Sequence, residues 1–398
     1  MDYGKEALRL HAQHKGKICV NGKVEVNTPE DLSLAYTPGV AQPCLEIARD
    51  AALAYTYTAK GNLVAVVSDG SAVLGLGNIG GQAAMPVMEG KSLLFKRFGN
   101  VDAFPICLDT QDTEEIIETV RRIAPVFGGI NLEDIASPKC FEIEQRLEKE
   151  LDIPVFHDDQ HGTAIVVLAA LINALKIVKK EMGSIRVVLN GPGSAGTAVI
   201  HMLMEAGVQD IIACDEHGIL CPGRPEGLPG HKEALSHETN PRGVRGGLAE
   251  ALEGADVFIG LSVGGCLKPE MIRRMNRDPI VFAMANPVPE IMYDEALAAG
   301  VAVMGTGRSD MPNQINNVLA FPGVFRGALD VRARDINYAM KLAAAAAIAD
   351  AIPEEELTAE NIIPSLFAPG IAETVAKAVA AAARNSGTAR RSEERRVG

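Results

Sequence analysis

Four carboxylates follow two short apolar runs in the first half of the sequence. Glu133-Asp134 comes after a run predicted as a strand over 126–130, and Asp158-Asp159 comes after the apolar run 153–156. Because α/β folds bind ligands at the carboxyl ends of their strands, we expect these side chains to lie close together. Adjacent carboxylates repel one another unless a cation neutralises them, and Mg²⁺ or Mn²⁺ prefers oxygen ligands. The pattern predicts a divalent-metal site, although an acidic pair before a helix is also typical of a helix cap.

A lysine lies on an apolar stripe of a helix predicted over 82–98. Val87, Lys91, Leu94 and Phe98 recur at helical spacing. Burial among apolar side chains lowers the pKa of an amine, and a lysine with a lowered pKa can act as a general base near neutral pH. The alternative is a lysine whose stem lies along the apolar surface while its ammonium reaches solvent.

A glycine fingerprint lies between a strand predicted over 185–189 and the helix that follows it. Its glycines permit a tight turn and the close approach of a pyrophosphate to the helix N-terminus. Asp215 ends the next predicted strand, where an acid accepts ribose hydroxyls. This combination predicts dinucleotide binding, with a structural glycine turn as the alternative, through Gly191, Gly193, Ser194, Ala195, Gly196 and Asp215. Asp215 favours NAD because a carboxylate repels the 2′-phosphate of NADP, but Arg224 leaves NADP possible.

Short apolar runs alternate with helical patterns along most of the chain, which indicates an α/β fold with mainly parallel sheets. We predict an N-terminal α/β domain over 1–160 and a Rossmann-like, doubly wound dinucleotide-binding domain over 161–385. The active site should lie in the cleft between the two domains. The basic segment 386–398 is predicted to be a disordered tail.

The overall composition excludes several classes of protein. The net charge of −13 argues against nucleic-acid binding, which requires a basic surface. Aromatic residues make up only 4% of the chain, which argues against base stacking. Seven cysteines without a CxxC pair argue against a disulfide framework or a structural zinc site and favour a reducing compartment. No segment has the composition expected of a signal peptide or a membrane span. We therefore expect a cytoplasmic protein that binds neither nucleic acid nor membrane.

Together these motifs resemble those of the malic enzymes, specifically the short bacterial and archaeal form. The resemblance extends from about residue 33 to residue 327 and is highly specific in combination, although several of its stretches are weak signals singly. The stretches that carry it are 36–40, 68–70 with 74–78, 89–91, 131–134, 157–163, 191–196, and 316–317 before 321–323.

The resemblance implies oxidative decarboxylation of (S)-malate to pyruvate and CO₂, with NAD(P)⁺ and either Mg²⁺ or Mn²⁺. It implies a metal site formed by Glu133, Asp134 and Asp159. It also implies that Lys91 is the general base and Tyr36 the general acid. Asn286 and Asn317 match the asparagines that contact the substrate, and Asn286 is expected to reach the cofactor as well.

One departure from the family pattern affects the substrate site. Larger malic enzymes carry a substrate-binding arginine two residues after the Asp69-Gly70 pair, where this chain has Ala72. In the short form the resemblance further implies a homodimer in which Tyr36 comes from the neighbouring subunit. Two alternatives share the motifs: a malolactic-type enzyme that converts malate to lactate with bound NAD, and a nucleotide-sensing relative without turnover.

Overall fold

The computed structural model describes residues 2–228 and 230–390 of the 398-residue chain. The N-terminal part contains a four-stranded sheet and seven α-helices within the described residues. Its elements are α1 (Tyr3–His14), α2 (Pro29–Ala35), α3 (Ala41–Arg49), α4 (Ala54–Tyr57), β1 (Leu63–Ser68), α5 (Gly80–Gly99), β2 (Asp102–Cys107), α6 (Thr113–Ile123), β3 (Gly129–Leu132), α7 (Lys139–Glu150) and β4 (Val155–His157).

The second part contains a six-stranded sheet. Its elements are α8 (Asp158–Val178), β5 (Arg186–Asn190), α9 (Ser194–Glu205), β6 (Asp210–Asp215), β7 (Gly218–Ile219), α10 (His231–Glu238), α11 (Leu248–Ala251), β8 (Val257–Gly260), α12 (Pro269–Ile272), β9 (Ile280–Ala283), α13 (Tyr293–Ala298), β10 (Val303–Thr306), α14 (Phe321–Asp330), α15 (Tyr338–Ala349) and α16 (Ile371–Asn385). Short 3₁₀ helices lie at Ala51–Leu53, Ala59–Asn62, Ala124–Val126, Met182–Ser184, Asn317–Leu319 and Glu354–Glu356.

Both sheets have helices on two faces, as the α/β prediction requires. The strand orders are β2-β1-β3-β4 and β10-β9-β8-β5-β6-β7, and every pair is parallel except β6 with β7. In β5, Val187 and Leu189 belong to one hydrophobic core while Val188 belongs to another on the opposite face. This alternation follows from the period of two in a strand and confirms a doubly wound, Rossmann-like second sheet.

The third strand begins later than the sequence predicts. The run 126–130 was predicted as a strand, but Ala124–Val126 forms a 3₁₀ turn, closed by the Phe127 N–H donating to the Ala124 carbonyl at 3.1 Å. The strand therefore occupies Gly129–Leu132, and Glu133-Asp134 follows its last residue directly. The shift strengthens the placement of the acidic pair at the carboxyl edge of the sheet.

The helix α8 connects the two sheets through the protein interior. By length and composition it could cross a membrane, contrary to the expectation that no such segment exists, but 67% of its most apolar window is buried inside the protein. Its buried residues belong to the largest hydrophobic core, together with side chains of α5, α9, α14, α15 and α16. The helix is therefore the core helix that joins the two halves.

An aromatic cluster fixes α5 against the second part of the chain. Phe95 of α5 lies 4.6 Å from Phe321 and 5.2 Å from Phe325, both in α14, between ring centres. Phe156 of β4 contacts Phe325 at 5.7 Å in an edge-to-face arrangement. All four rings are fully buried, and truncation of such a ring costs about 3–5 kcal/mol. Because Lys91 lies one turn before Phe95, this packing also fixes the position of its backbone.

The segment after α16 is ordered as far as residue 390. The Thr388 N–H donates to the Ala383 carbonyl at 2.9 Å, and the Arg390 N–H donates to the Val331 carbonyl at 3.0 Å. The prediction of a disordered tail from residue 386 is therefore wrong for 386–390, because these backbone bonds anchor it to the helical layer. Residues 391–398 lie outside the described part of the chain.

Candidate active site

Loops from the carboxyl ends of both sheets enclose a cavity of about 640 Å³. The N-terminal part contributes the loop that follows β1 and the turn after β3, and the start of α8, which connects the two parts, contributes Asp159. The second part contributes the start of α9 and the loops after β8, β9 and β10. The predicted site residues that line this cavity are Asp134, Asp159, Ser194, Ala195, Asn286 and Asn317.

Lys91 lies on the buried face of α5, against the acidic edge of the first sheet. Its ammonium forms an ion pair with Glu133 Oε1 at 2.8 Å and a second, shorter one with Asp158 Oδ2. Only 7% of its side chain is exposed. The predicted apolar stripe was wrong at Val87, which is 42% exposed. Met88 and Phe95, predicted to lie beside the stripe, share the buried face with the lysine.

The pKa of Lys91 is raised, so the prediction of a lowered pKa was wrong. Burial alone lowers the pKa of this amine, but the charges of Asp158 and Glu133 outweigh burial and raise its pKa well above the ordinary value. Periodicity placed the lysine among apolar residues and could not show that two carboxylates lie within ion-pair distance. In this structure the amine is therefore an ammonium that neutralises part of the acidic cluster.

The remaining charge of the acidic cluster is not neutralised by protein groups. Burial, and then the charges of Asp159 and Glu133, raises the pKa of Asp134 to about 8. Burial is also the first cause that raises the pKa values of Glu133, Asp158 and Asp159. Asp134 Oδ2 and Asp158 Oδ1 are buried without a hydrogen-bond partner. Buried anionic oxygens without donors are the groups that a divalent cation satisfies, so the donor set fits Mg²⁺ or Mn²⁺.

The carboxylates do not converge on one point in this conformation. Among residues 2–228 and 230–390, no three acidic, histidine or cysteine side chains form a ready-made metal cluster. Asp159 Oδ2 accepts a hydrogen bond from the Asp134 N–H at 2.7 Å, and Glu133 Oε2 accepts one from Asn131 Nδ2 at 2.8 Å. The metal ligand set of Glu133, Asp134 and Asp159 therefore stays a prediction.

Two asparagines lie on the second part of the cavity wall. Asn317 Nδ2 donates to Asp158 Oδ2 at 2.6 Å, so this amide and Lys91 share one carboxylate oxygen. Asn286 lies at the loop after β9, and its Nδ2 is 3.4 Å from the Met284 carbonyl. The structure brings both residues to the cavity, and their contacts with substrate or cofactor stay predictions.

The glycine fingerprint forms the predicted strand–turn–helix junction. Gly191 has φ +101°, and a Cβ there would lie 2.5 Å from the Leu261 carbonyl oxygen. A Cβ at Gly196 would lie 2.2 Å from the Gly191 oxygen, whereas Gly193 faces open space. His231 Nε2 lies 2.8 Å from the Pro192 oxygen and holds the turn from the other side. These contacts explain the glycines at the ends of the motif and leave its middle free for a phosphate.

Asp215 is not a free carboxylate. Arg224 donates to both of its oxygens, at 2.8 and 2.9 Å, and Lys232 Nζ donates to Oδ2 at 2.9 Å. Burial would raise the pKa of Asp215, but the hydrogen bonds from Arg224 and Lys232 hold it well below the usual range. Lys232 was not predicted, because no sequence motif links it to Asp215. It lies in α10, and only the packing of that helix brings it close to Asp215.

Tyr36 does not line the cavity within a single chain. Lys91 and Glu133 are not among the lining residues of the cavity either, but they are buried and paired with each other beside it. Tyr36 follows α2, and 67% of the residue is exposed. The helices α1 to α4 contain no buried residue. One chain therefore does not place Tyr36 beside Lys91 in this structure.

The histidines next to the acidic pair are packing residues in this structure. His157 is fully buried, and its backbone N–H donates to Glu144 Oε1 at 2.7 Å. His161 Nε2 lies 3.0 Å from the same oxygen, and its ring lies 5.5 Å from that of Phe156. Glu144 thus holds the β4–α8 junction that presents Asp158 and Asp159.

Comparison with known proteins identifies the family. The family model of the malic enzyme N-terminal domain matches residues 13–148, and that of the malic enzyme NAD-binding domain matches residues 160–384. A bifunctional malic/malolactic enzyme from Bacillus subtilis is 58% identical over 390 residues, covering 98% of this chain and 95% of the relative. An NAD-dependent malic enzyme from Geobacillus stearothermophilus is 60% identical over 377 residues, covering 94% of this chain and 78% of the relative.

A solved structure has the same architecture over nearly the whole chain. The crystal structure of the malic enzyme from Pyrococcus horikoshii is 52% identical and has a TM-score of 0.94, covering 98% of this chain and 93% of that one. The agreement confirms the predicted combination of an N-terminal α/β unit with a Rossmann-like unit. The chain belongs to the malic enzyme family.

Proposed function

We propose that this protein catalyses the oxidative decarboxylation of (S)-malate to pyruvate and CO₂ with reduction of NAD⁺ or NADP⁺. The observation that carries the proposal is the buried Lys91, paired with Glu133 and Asp158, next to a cavity that is lined by Asp134, Asp159 and the start of the nucleotide-binding helix α9. A buried amine beside a cation site and a hydride acceptor is the combination that alcohol oxidation next to a carboxylate requires.

The first proton transfer belongs to Lys91. Once Lys91 has lost its own proton, its Nζ can accept the proton of the malate C2 hydroxyl, and a bound nicotinamide would supply the hydride acceptor for C2. Asp158 orients the amine, and Asn317 holds Asp158 through the 2.6 Å hydrogen bond. The carboxylates that raise the pKa of Lys91 belong to the cluster that a bound cation would neutralise. Cation binding would therefore lower the pKa of Lys91 and favour its neutral, basic form.

A divalent cation held by Glu133, Asp134 and Asp159 would polarise the C2 oxygen and take up charge as the C4 carboxylate leaves as CO₂. The donor set supports this role because Asp134 Oδ2 is buried without a hydrogen-bond partner. The protein then needs an acid to protonate C3. Tyr36 has a hydroxyl suited to that transfer, with Lys91 returning the proton to it.

The nucleotide site supports both cofactors. Arg224 and Lys232 both pair with Asp215, so this position carries two positive charges and one negative charge. The excess positive charge would attract the 2′-phosphate of NADP⁺. A ribose hydroxyl can still bind the same carboxylate. Relatives at 49% identity carry the name NADP-dependent malic enzyme, while the Geobacillus relative carries the name NAD-dependent.

A homodimer completes the site. The segment containing α1 to α4 buries no residue and exposes large apolar side chains, among them Leu8, Val20, Leu34 and Tyr36 itself. A surface of this kind is typical of a subunit interface. We assign Tyr36 of each chain to the cavity of its partner.

Complementation tests the shared site. Tyr36→Phe and Lys91→Met chains should each be inactive alone and regain activity when co-expressed with different tags and purified together. A heterodimer selected through both tags has one complete site of two, so about one half of the wild-type activity is expected. The unselected mixture, in which about half of the dimers are heterodimers, should have about one quarter. No recovery in a confirmed heterodimer would show that Tyr36 does not act across the interface.

A cytoplasmic location is proposed as well. All seven cysteines are free, which suits a reducing compartment. Fractionation of cells that produce the protein, with malate-dependent NAD(P)H formation measured in each fraction, tests this location. Activity confined to the membrane or secreted fraction would contradict it.

A steady-state assay of the wild-type protein tests the reaction. With (S)-malate, NAD⁺ or NADP⁺, and Mn²⁺ or Mg²⁺, we expect NAD(P)H and pyruvate in equal amounts, and no turnover after chelation. Absence of both products under all of these conditions would reject the proposal and would favour a nucleotide-sensing role.

Malolactic conversion is the second candidate, because the Bacillus subtilis relative is named as bifunctional. Both reactions use the same cavity and differ in the fate of the hydride. Lactate formed from malate without net NADH would identify the malolactic reaction, so lactate should be measured in the same samples as pyruvate.

A further inference from the structure

Within residues 2–228 and 230–390, the cavity wall contains no basic side chain that could bind a carboxylate. Among the described residues that line it, Asp134 and Asp159 are charged and both are anionic. Ala72, in the loop after β1, is part of this wall and offers only a methyl group. A dicarboxylate substrate brings two further negative charges. A cation is therefore needed at this wall in addition to any metal ion.

Two lysines near the cavity are already committed to acids. Lys91 is paired with Glu133 and Asp158 in the buried cluster. Lys139 lies behind the loop after β1, where its Nζ is 2.5 Å from Asp69 Oδ2 and 3.0 Å from the Gln111 carbonyl. Asp69 is buried, so withdrawing Lys139 would leave a buried charge without its partner. Neither lysine is free to bind a substrate carboxylate.

Arg308 is a cation next to the lining of the cavity. It comes directly after Gly307, which lines the cavity, and two residues after the end of β10. Its Nη1 donates to the Pro287 carbonyl at 3.2 Å, and Pro287 is the residue next to Asn286 on the cavity wall. The guanidinium is therefore attached to the same loop that presents the predicted substrate asparagine.

The present partner of Arg308 can be exchanged at little cost. Its Nε and Nη2 donate to Asp310 at 2.8 and 2.7 Å, and the Asp310 side chain is 59% exposed. Exposed ion pairs of this kind contribute little to stability, because water solvates both charges when they separate. A substrate carboxylate can thus replace Asp310 in the bidentate arrangement that a guanidinium favours.

We propose that Arg308 binds the C1 carboxylate of malate, the carboxylate that remains in pyruvate. This inference depends on malate being the substrate, as proposed above. The C4 carboxylate must lose its charge when it leaves as CO₂, and a cation paired with it would stabilise the form that has to disappear. The C1 carboxylate keeps its charge throughout the reaction, so a fixed guanidinium can hold it at every stage.

Kinetics of Arg308→Gln test the proposal. Loss of a charge-assisted bidentate contact should raise KM for malate about 10- to 100-fold, with kcat reduced much less and KM for NAD⁺ unchanged. The inhibition constant of the product pyruvate should rise by a similar factor, because pyruvate retains the same carboxylate. Arg308→Lys, which keeps the charge without the fork, should recover part of the loss.

Asp310→Asn is the matched control, since it removes the partner and leaves the guanidinium. Its KM for malate should be equal to or below that of the wild type. A raised KM in Asp310→Asn that matches Arg308→Gln would show that the ion pair only shapes the loop, and would overturn the proposal. An unchanged KM for malate in Arg308→Gln would also overturn it.

Two further outcomes are distinguishable. A raised KM for malate with an unchanged pyruvate inhibition constant would contradict the assignment to C1. If the wild-type protein formed no NAD(P)H from malate, the proposed function would fail before the variants were compared. Arg308 is therefore judged only against a wild-type enzyme that turns malate over.

Discussion

Two clusters of charged side chains lie at the carboxyl ends of strands, one in each sheet, and they have opposite imbalances of charge. The cluster at β3 and β4 combines one ammonium, Lys91, with the carboxylates of Glu133, Asp134, Asp158 and Asp159. The cluster at β6 combines one carboxylate, Asp215, with the cations of Arg224 and Lys232. The same fold position thus presents excess negative charge in one case and excess positive charge in the other.

The pKa shifts report this difference. In the acidic cluster burial raises the pKa values of the carboxyl groups, because a single ammonium cannot compensate for their desolvation and mutual repulsion. In the nucleotide cluster the cations more than offset burial and lower the pKa of Asp215. An acid cluster that is short of positive charge is suited to bind a cation, and a basic one is suited to bind phosphate. The comparison therefore assigns a different ligand to each edge.

Apart from loss of Lys91 itself, the largest expected effect comes from removing one carboxylate charge of the acidic cluster. Asp159→Asn should lower malate turnover at least about 100-fold, because the change removes a proposed metal ligand and its charge while the shape is kept. In wild-type protein Mn²⁺ should raise the melting temperature, and in Asp159→Asn this increase should be small or absent. Differential scanning fluorimetry with and without Mn²⁺ measures the second quantity.

The control for this experiment is Asp350→Asn, a surface carboxylate whose side chain is 74% exposed. It should behave as the wild type in both assays. If Asp159→Asn gained as much thermal stability from Mn²⁺ as the wild type, the assignment of the cation to this cluster would be wrong.

A smaller effect is expected at the nucleotide cluster. Lys232→Gln should raise KM for NADP⁺ about tenfold and leave KM for NAD⁺ nearly unchanged, because only NADP⁺ carries the 2′-phosphate. Steady-state kinetics with both cofactors at saturating malate give the ratio directly. Lys268→Gln, in which an exposed ammonium near Gly265 is removed, is the matched control. A ratio unchanged by Lys232→Gln would mean that Lys232 serves only to neutralise Asp215.

The smallest effect concerns a carboxyl group outside both clusters. Burial, and then the charge of Glu144, raises the pKa of Glu148 to about 7. Because the folded-state pKa is raised, the ionised side chain destabilises the fold progressively from about pH 4.5 to about pH 7, and the full penalty remains above that range. Glu148→Gln should therefore increase the free energy of unfolding by about 1 kcal/mol at pH 8 and by much less at pH 5. Urea unfolding at the two pH values measures this difference, and equal changes at both would contradict the shift.

The elements that follow from local patterns were predictable. The alternation of apolar runs with helical patterns indicated two α/β units. The helix predicted over 82–98 and the strand predicted over 185–189 lie within about two residues of the observed α5 and β5. The start of β3 was misplaced because Pro125 lies in an apolar run whose 3₁₀ turn has no clear sequence signal. The backbone contacts that order 386–390 come from residues far away in the chain and have no local signature.

The composition of the site was more predictable than its electrostatics. The sequence indicated the acidic pairs, the lysine and the glycine turn, and all of these lie near one cavity. Tyr36, which the sequence also indicated, is exposed and lies apart from it. The raised pKa of Lys91 depends on Asp158, which is 67 residues away in the chain, and the pairing of Asp215 with Lys232 depends on α10. Ion pairs between distant segments depend on tertiary packing. Hydrophobic periodicity therefore could not predict these pairs or the direction of the pKa shifts that they cause.

The central claim is that Lys91 is the base that takes the proton of the malate C2 hydroxyl when NAD(P)⁺ oxidises malate. The most direct test is Lys91→Met, which keeps the length of the side chain and removes the amine. We predict that malate turnover falls at least about 1,000-fold, while the affinity for NADH, measured by its fluorescence, stays within about twofold of the wild type. Turnover within about tenfold of the wild type, with NADH bound normally, would contradict the assignment of Lys91 as the base.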